Sequence, residues 1–490
     1  MCHLTTSFTS SVTLAVAILA LGACSFISSD APQLPNIASD MPTAWAEQTH
    51  SDAEAAVAAP DWWRSFRSKE LLALITAALN ANPNLVIATE HVHQAEAQVR
   101  YTNASLFPQL SFGTSTVHSR TLTKGSPWTT IDGTNSYFTA TDEIDLWGLN
   151  AAEVRGAESL LRASHFDFKT VQLTLLTGVA NAYFQILSLR DRLAIARENL
   201  IIANRVFVVV NSRVRNGAAS AIDLALQQKV VLAQRAAVPS LELQERQTLF
   251  ALALLLGRPP EGFNVGFAPT GATVAVKLTD LAVPRIAPEL PADLLTRRPD
   301  IARAEAQLAA AHANVAMARA ALLPRIQLTG SQGFASNLLF DFINPTSVTW
   351  TLGTLLVYPI FDGGRLHSQV DVMTSLEREL IANYRKSILA ALTDVESAMA
   401  FSNRTADQEF LLEQVQEQAQ RALQLAEIRY REGIADLLTV LEVQQTLFQT
   451  KDQIAQVRLL RLQATIGLFK ALGGSFLTAS FASFRSMHNA

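Results

Sequence analysis

The chain has 490 residues, of which 49% are hydrophobic and 17% are charged, and its formal net charge is −4 at pH 7. A chain of this length could hold about three ordinary domains. The near-neutral balance provides no basic field that would favour nucleic acid or an acidic surface as a partner.

The N-terminal region predicts export and attachment to a lipid. The apolar run at residues 12–21 is too short to span a bilayer, which favours a secretory signal peptide over residues 1–23. Its ending, Leu21-Gly22-Ala23-Cys24, resembles a bacterial lipobox, so Cys24 is expected to become the lipidated first residue of the mature protein. Ser25 follows, which in bacterial lipoproteins implies sorting to the outer membrane. The alternative is a cysteine that follows an apolar run by chance.

Residues 24–60 are expected to form an extended leader between the lipid and the folded body, because Pro, Ser, Asp and Ala mix there without periodicity. The only other cysteine, Cys2, would leave with the signal peptide, so no disulfide is expected even in an oxidising compartment. Apolar residues at helical spacing then predict a short helix at 69–80.

Two long stretches of the chain, 83–257 and 299–473, follow one plan. Four landmarks recur at a constant offset of 216 residues: Pro83 and Pro299, Pro108 and Pro324, Gly217 and Gly433, and Gly257 and Gly473. Agreement at a single offset indicates an internal duplication. The period is far too long for a solenoid unit, so each copy is expected to be half of a fold.

The sequence pattern of each repeat predicts a helix, a β-hairpin, a long helix and a return helix, in that order. The first repeat, 61–260, is expected to contain a short helix, a second helix, the hairpin 109–146, the long helix 149–216 and the return helix 218–256. A linker at 261–290 precedes the second repeat, 291–474, with helix 299–322, hairpin 325–361, long helix 365–432 and return helix 434–472. Residues 475–490 form a C-terminal tail.

The spacing of apolar residues and the positions of proline and glycine support these elements. Alternating apolar residues such as Trp350 and Leu352, continuing to Tyr358 and Ile360, predict the last strand, whereas the long helices keep helical spacing. Neither long helix contains proline, and at 1.5 Å per residue each would be about 100 Å long. Gly217 and Gly433 end them. Within the first return helix Pro239 is expected to interrupt and bend the helix.

The strands have the length and alternation of membrane-crossing β-strands. About ten residues suffice when a strand is tilted by about 45°. An open sheet edge leaves backbone groups unpaired in hydrocarbon, and closed barrels begin at about eight strands, whereas this chain offers four. The chain must therefore oligomerise, and two, three or four copies would give eight, twelve or sixteen strands.

The long helical hairpins are too polar to lie in a bilayer, so they must project from the strands on one side. A barrel continued by a helical cylinder through the periplasm would be a conduit. The alternative is a solid helical bundle or a coiled-coil spacer without a lumen.

Several ordered motifs carry a resemblance to a known family. They are Leu290-Pro291-Ala292-Asp293-Leu294-Leu295-Thr296-Arg297-Arg298-Pro299-Asp300-Ile301, Ala318-Arg319-Ala320-Ala321-Leu322-Leu323-Pro324-Arg325-Ile326, Pro359-Ile360-Phe361-Asp362-Gly363-Gly364-Arg365, Leu254-Leu255-Leu256-Gly257-Arg258-Pro259-Pro260 and Arg429-Tyr430-Arg431-Glu432-Gly433. With them the sequence resembles the TolC/OprM family of outer-membrane efflux channels, in its NodT-like lipoprotein branch.

This resemblance implies a membrane protein of mixed α and β structure. It implies a homotrimer whose twelve-stranded β-barrel is continued by a long periplasmic α-helical barrel, lipid-anchored in the bacterial outer membrane. It also implies a periplasmic adaptor protein and an inner-membrane transporter of the RND type as partners.

A conduit through the outer membrane would leak unless it is closed at rest. The periplasmic tips of the helical hairpins are therefore expected to hold a gate. The candidate gate residues are Arg213, Arg215, Asp223, Arg429, Tyr430, Arg431, Asp436 and Glu442. By resemblance Tyr430 matches the family's gate tyrosine, and Glu442 falls where an inward-facing aspartate ring lies. Ala435 and Thr439 replace a gate arginine and a second aspartate of TolC, so its bonding details do not transfer. The alternative for the charges is ordinary ion pairs at solvated helix ends.

The small residues at the tips permit close approach by another helical hairpin, and the family docks its adaptor there. The candidate docking residues are Gly217, Ala218, Gly433, Ile434 and Ala435. The simpler explanation, that glycine caps a helix, is compatible with docking.

No cofactor, metal or enzymatic activity is predicted. The chain contains no Walker loop for ATP, and His91 and His93 point to different sides of a helix. The expected function is a passive exit duct of a tripartite efflux pump that carries drugs or other toxic small molecules. The alternatives are a channel for type I protein secretion and a structural outer-membrane lipoprotein without a lumen.

Overall fold

The computed structural model describes residues 42–47, 61–265, 277–284, 286, 291, 294–336 and 348–474. The signal peptide, Cys24, most of the leader and the C-terminal tail lie outside these residues, as does part of the linker. The chain divides into two compact units, a sheet unit and a helical unit. The described residues of the sheet unit fall within His91–His165 and Arg303–Arg385, and those of the helical unit fall within Ala38–Glu90, Phe166–Ala302 and Lys386–Ala490.

The elements follow the repeat plan in chain order. They are α1 (Lys69–Ala81), α2 (Pro83–Asn103), β1 (Gln109–Thr121), β2 (Thr129–Ile144), α3 (Leu149–Arg215), α4 (Ala221–Leu255), α5 (Leu294–Arg297), α6 (Pro299–Ala320), β3 (Arg325–Ser336), β4 (Val348–Val357), α7 (Arg365–Arg431) and α8 (Leu437–Ala471). Short 3₁₀ helices lie at Trp62–Phe66, Ala104–Leu106 and Leu278–Asp280.

The four strands form one antiparallel sheet in the order β1-β2-β3-β4. The hairpin of the first repeat therefore joins the hairpin of the second through β2 and β3, with Thr134 opposite Ser336 and Ile144 opposite Ile326. Strands β1 and β4 are the edges of this sheet. Their outer backbone groups are available to another chain, because an edge strand has a partner on one side only.

The two faces of the sheet differ in chemistry. We call one the apolar face; its large side chains, all more than half exposed, are Leu110, Phe112, Phe138, Trp350, Leu352 and Leu356. We call the other the polar face; it includes Ser111, Gly113, Ser115, Asn135, Tyr137, Thr139, Ser331, Gly333, Thr349 and Thr351. On the apolar face the rings of Phe112 and Phe138 pack with centroids 5.1 Å apart. A contiguous exposed apolar surface of this size marks an interaction with a membrane or another protein.

The long helices α3 and α7 contain 67 residues each and end at Arg215 and Arg431. Each is one residue shorter than expected. The return helices begin three residues later than expected, because Ser220 and Asp436 are N-cap residues in extended conformation.

Two expectations were wrong. Strand β4 ends at Val357, so Tyr358 and Ile360 lie beyond it; Pro359 follows and has no N–H to donate to a ladder. Helix α4 continues through Pro239 from Ala221 to Leu255. The side chains of Val238 and Leu241 pack against Leu189 and Leu193 of α3, and this packing outweighs the one backbone hydrogen bond that proline removes.

The core of the helical unit is built around aromatic residues that follow the leader. Trp62 stacks on Phe469 of α8 with centroids 5.3 Å apart, and Phe66 meets Phe184 of α3 edge-on at 5.0 Å. Both Trp62 and Phe66 are almost fully buried. Contacts of this kind add to the hydrophobic gain of burial, so the short 3₁₀ helix fastens the start of the folded body to α3 and α8.

The duplication is visible in the helical unit as paired junctions. Asn82 donates from Nδ2 to the Leu255 carbonyl at 2.7 Å, and Arg298, 216 residues later, donates to the Ala471 carbonyl at 3.2 Å. At each junction a glycine with positive φ abuts a carbonyl oxygen: an added Cβ at Gly257 or Gly473 would lie 2.2 or 2.5 Å from it. The second junction is charged, since Arg298 also binds Asp300 and Asp394 at 2.7 and 2.9 Å.

In the described ranges no single helix is both long enough and apolar enough to cross a membrane. One pair of consecutive helices, Lys69–Ala81 and Pro83–Leu106, meets the requirements of length and composition when the two are taken together, with a bend of 43° between them.

Candidate functional site

The tips of the two helical hairpins share one backbone design. After α3, Gly217 has a φ of +73°, and Ala218 N–H donates to the Arg213 carbonyl at 2.8 Å. After α7, Gly433 has a φ of +78°, and Ile434 N–H donates to the Arg429 carbonyl at 2.8 Å. Glycine in the left-handed region closes a helix by satisfying its last carbonyls. The tips therefore turn the same way in both repeats.

The acidic gate candidates Asp223 and Asp436 cap the return helices of their own chain. Asp223 and Ser220 form a reciprocal capping box at the start of α4, with bonds of 2.8 and 3.2 Å. Asp436 accepts hydrogen bonds from Thr439 N–H at 2.9 Å and Thr439 Oγ1–H at 2.6 Å. These hydrogen bonds lower the pKa of Asp436. In both repeats the N-cap residue is hydrogen-bonded to the third residue of the helix. The acidic residue is at the third position in the first repeat (Asp223) and at the N-cap in the second (Asp436).

Arg213 and Tyr430 form a clasp between the two repeats within one chain. The Arg213 guanidinium carbon lies 4.7 Å from the centroid of the Tyr430 ring, and Nη1 donates to the Tyr430 carbonyl. Nη2 reaches the Ala218 carbonyl at 3.4 Å, so one side chain connects both tips. A cation over an aromatic face is attracted by the ring's quadrupole. We refer to this pair as the Arg213–Tyr430 clasp.

The Tyr430 side chain is buried, and its hydroxyl has no hydrogen-bond partner among the described residues. Burial raises the pKa of Tyr430, Arg213 opposes the rise, and the nearby Asp223 adds to it. The tyrosine therefore stays neutral at physiological pH. Its ring serves as a surface for Arg213 and as part of the core beneath the tips.

The other charged candidates are exposed. Arg215, Arg429, Arg431 and Glu442 point to solvent, and they form no ion pair with any residue that the structure describes. Arg429 occupies the position equivalent to Arg213, 216 residues later, yet lies outside the clasp. The single chain thus brings Arg213, Tyr430 and Asp223 together and leaves these four charges available to other molecules.

Beneath the clasp lies an apolar cluster that all four hairpin helices supply, including Val210, Leu423, Leu437 and Val440. Two fully buried glutamines on the return helices were missed by the sequence analysis. Gln227 donates from Nε2 to the Ala203 carbonyl at 2.8 Å, but neither amide atom of Gln444 has a partner among the described residues. A buried amide without partners is costly. The only signal that could have found them is a polar residue on the apolar stripe of a helix.

Ion pairs between the repeats were also missed. Arg192 of α3 binds Asp452 of α8 with two bonds of 2.6 and 3.1 Å, and Arg205 binds Glu427 of α7 at 2.7 Å. The partners are more than 200 residues apart in the chain, so sequence spacing gives no signal for them.

The tips also expose apolar side chains. Ile222 and Leu438, at equivalent positions in the first turns of α4 and α8, are 71% and 63% exposed, and Ile434 is 67% exposed. Ala218 is exposed beside them, and Ala435 is half-buried. In the part of the chain that the structure describes, no group of three or more His, Cys, Asp and Glu side chains is arranged to hold a metal ion.

The profile of the family described as "Outer membrane efflux protein" matches residues 74–258 and again residues 290–474. The chain belongs to the outer membrane efflux protein family. The two matched stretches correspond to the two repeats. The chain is therefore an efflux protein of the outer membrane.

Individual members of the family match over nearly the whole chain. The pyoverdine export outer membrane protein OpmQ of Pseudomonas aeruginosa is 39% identical over 470 residues, with 94% of this chain and 96% of the relative covered. The solvent efflux pump outer membrane protein SrpC of Pseudomonas putida is 30% identical, with 94% and 97% covered. The open-state structure of the MtrE outer membrane channel of Neisseria gonorrhoeae has a TM-score of 0.76 at 25% identity, with 89% and 96% covered. This outer membrane efflux protein thus has the fold of solved channels.

Proposed function

We propose that three copies of this outer membrane efflux protein form a passive exit duct that carries small molecules from the periplasm to the outside. The observation that carries the proposal is the open four-stranded sheet with two edges and an exposed apolar face. Such edges cannot remain unpaired in hydrocarbon. Three chains joined edge to edge, β4 of one to β1 of the next, close a barrel of twelve strands, in keeping with the ring symmetry of head-to-tail oligomers.

The closed barrel puts the apolar face toward lipid and the polar face toward the lumen. Side chains on the two faces alternate along each strand, so the middle rows of the sheet separate apolar from polar side chains. Towards the strand ends the division is mixed, since the polar face also carries Ile131, Leu355 and Val357. The long helices α3 and α7 with their return helices then extend the duct into the periplasm, and lipidated Cys24 anchors the leader. The duct carries out no catalytic chemistry of its own.

The Arg213–Tyr430 clasp is proposed as the part of the gate that lies within one subunit. It ties the tip of the first repeat to the tip of the second, and opening requires the tips to separate. We infer that the exposed charges of Arg215, Arg429, Arg431 and Glu442 pair with neighbouring subunits. Around a threefold axis three Glu442 carboxylates would lie close together, and their combined negative charge would favour cations.

The tips are proposed as the docking surface for a periplasmic adaptor, which connects the duct to an inner-membrane transporter of the RND type. Gly217 and Gly433 leave the turns without side chains, while Ile222, Ile434 and Leu438 present apolar surface next to them. Exposed apolar residues at the end of a solvated hairpin indicate a protein contact. Ala218 and Ala435 allow the partner to approach closely.

The cargo is proposed to be small molecules, because the relatives are named for pyoverdine export and for solvent efflux. Deletion of the gene is expected to increase sensitivity to some toxic compounds or to lower export of a siderophore. A panel that includes organic solvents, antibiotics and siderophores would identify the class.

The experiment that tests the duct uses the full-length processed protein purified from membranes. Its mass in detergent, measured by light scattering, is expected to be that of three chains, and the protein is expected to form pores in planar bilayers. A stable, water-soluble monomer that forms no pores would overturn the proposal. A trimer that remains impermeable, even when the clasp is removed, would favour a structural lipoprotein instead.

A further inference from the structure

One row of the polar face combines two glycines with a tyrosine. Gly113 of β1, Tyr137 of β2, Gly333 of β3 and Thr349 of β4 lie opposite one another across the sheet. The neighbouring rows on this face are small and polar: Ser111, Thr139, Ser331 and Thr351 on one side, and Ser115, Asn135 and Ala335 on the other. Tyr137 is therefore the one large side chain of these three rows.

Gly113 leaves room for the tyrosine ring on the sheet surface, and Gly333 allows the backbone of β2 to approach closely. A Cβ added at Gly113 would lie 3.2 Å from Cε2 and Cζ of Tyr137 and 3.3 Å from its hydroxyl oxygen. At Gly333 an added Cβ would lie 2.1 Å from the Ser136 carbonyl oxygen and 2.7 Å from Tyr137 Cβ. Glycine inside a strand weakens the strand and marks a close approach. Here the approaching group is the Tyr137 ring, which lies across the backbone of Gly113.

This arrangement presents one face of an aromatic ring to the space beside the sheet. Tyr137 is 40% exposed although one side of its ring rests on Gly113. On the opposite, apolar face the large side chains are aliphatic and aromatic residues such as Phe112 and Trp350. Lipid contact explains those residues but does not explain an aromatic ring among serines, threonines and glycines.

We propose that Tyr137 is a cargo-contact residue on the inner wall of the duct, where it binds planar aromatic groups by stacking. The inference rests on the proposed function, since only a closed barrel turns the polar face into a lumen. Three subunits would place three such rings at one level of the pore. Gly113 lets each ring lie against the wall, so the pore retains its width while it gains an aromatic surface.

Stacked aromatic pairs gain a modest amount of free energy beyond the burial of surface. The contact therefore prolongs the passage of aromatic cargo without trapping it. Among the molecules that the pump delivers to the duct, the contact slows the aromatic ones relative to the others, and it leaves the passage of small ions unaffected.

The test measures current blocks by two uncharged probes, N-acetyl-tryptophan amide and N-acetyl-leucine amide, in planar bilayers that hold the purified trimer. In Tyr137→Leu the tryptophan probe is expected to dwell about two- to tenfold more briefly. The leucine probe and the salt conductance are expected to stay unchanged. Tyr137→Phe keeps the ring and should behave as the unmodified protein, and Tyr137→Trp should lengthen the tryptophan dwell time. Trp350→Leu, on the apolar face, is the matched control for loss of an aromatic residue.

An unchanged ratio of tryptophan to leucine dwell times in Tyr137→Leu would overturn the proposal. If Tyr137→Leu fails to assemble, equal dwell times of the tryptophan probe in Tyr137→Trp and in the unmodified protein would overturn it as well. If the unmodified protein forms no pore, the proposed duct is overturned, and the proposed contact of Tyr137 with cargo is overturned as well.

Discussion

Loss of the Arg213–Tyr430 clasp should shift the duct toward its open state. In Arg213→Met the aliphatic stem is kept, while the cation over the Tyr430 ring and the hydrogen bond to the Tyr430 carbonyl are both removed. A cation at 4.7 Å from a ring centroid in a half-exposed setting contributes about 1 kcal/mol. A hydrogen bond from a charged donor contributes about 1.5 kcal/mol.

These contributions are reduced by solvent at the half-exposed guanidinium, which leaves about 2 kcal/mol per subunit. Since 1.4 kcal/mol corresponds to a factor of ten, the ratio of open to closed tips should rise about 30-fold. The assay is the open probability of single channels in planar bilayers. Uptake of a large antibiotic by cells that produce the variant gives a second measurement.

Arg235→Met is the control for loss of one positive charge, because Arg235 is exposed on α4 and belongs neither to the clasp nor to the gate candidates. Its open probability should equal that of the unmodified protein. Tyr430→Leu removes the ring but keeps the carbonyl, so an intermediate rise is expected, whereas Tyr430→Phe should keep the gate closed. Equal open probabilities for the Arg213→Met variant and the unmodified protein would refute the assignment of the clasp to the gate.

Three further predictions follow from the described contacts and the lipobox. Gln444→Leu should raise the free energy of unfolding by about 1–3 kcal/mol, because it removes a buried amide without partners; urea denaturation measures this, and the exposed Gln445 changed to Leu should have little effect. Cys24→Ser should abolish incorporation of labelled palmitate, whereas Cys2→Ser should leave it intact, and labelling that survives loss of Cys24 would contradict the lipobox interpretation. Because the pKa of Asp436 is lowered in the folded state, its cap stabilises α8 above the unfolded pKa of about 3.9, and this stabilisation is lost as the pH falls through the lower folded value. The hydrogen-exchange protection factors of the first turn of α8, which correct for the pH dependence of intrinsic exchange, should therefore fall on acidification in the unmodified protein and show no such fall in Asp436→Asn.

Local signals in the sequence were sufficient for the secondary structure near the tips. Glycine is the residue that accepts a positive φ without strain, so Gly217 and Gly433 predicted the ends of the long helices to within one or two residues. The Ser220 to Asp223 interval was also readable as a capping box, but these charges were assigned to the gate instead. The four-residue interval is compatible with both roles, and only the folded tip brings Asp223 Oδ2 to 2.8 Å from the Ser220 backbone nitrogen.

The sequence by itself determined the duplication, because its landmarks recur at one constant offset. It also determined the faces of the strands and the ends of the helices, because these depend on residues within one or two turns of one another. Only the tertiary structure decided what equivalent residues do. Arg213 and Arg429 hold equivalent positions, each two residues before an arginine and four before the glycine of the tip, yet one covers a tyrosine and the other faces solvent. The second repeat has a tyrosine at position 430 where the first has Val214, so Arg213 meets an aromatic ring across the tips and Arg429 has no equivalent ring to cover. Such a contact joins residues 217 positions apart, and the packing of the helices, which no local pattern encodes, brings them together.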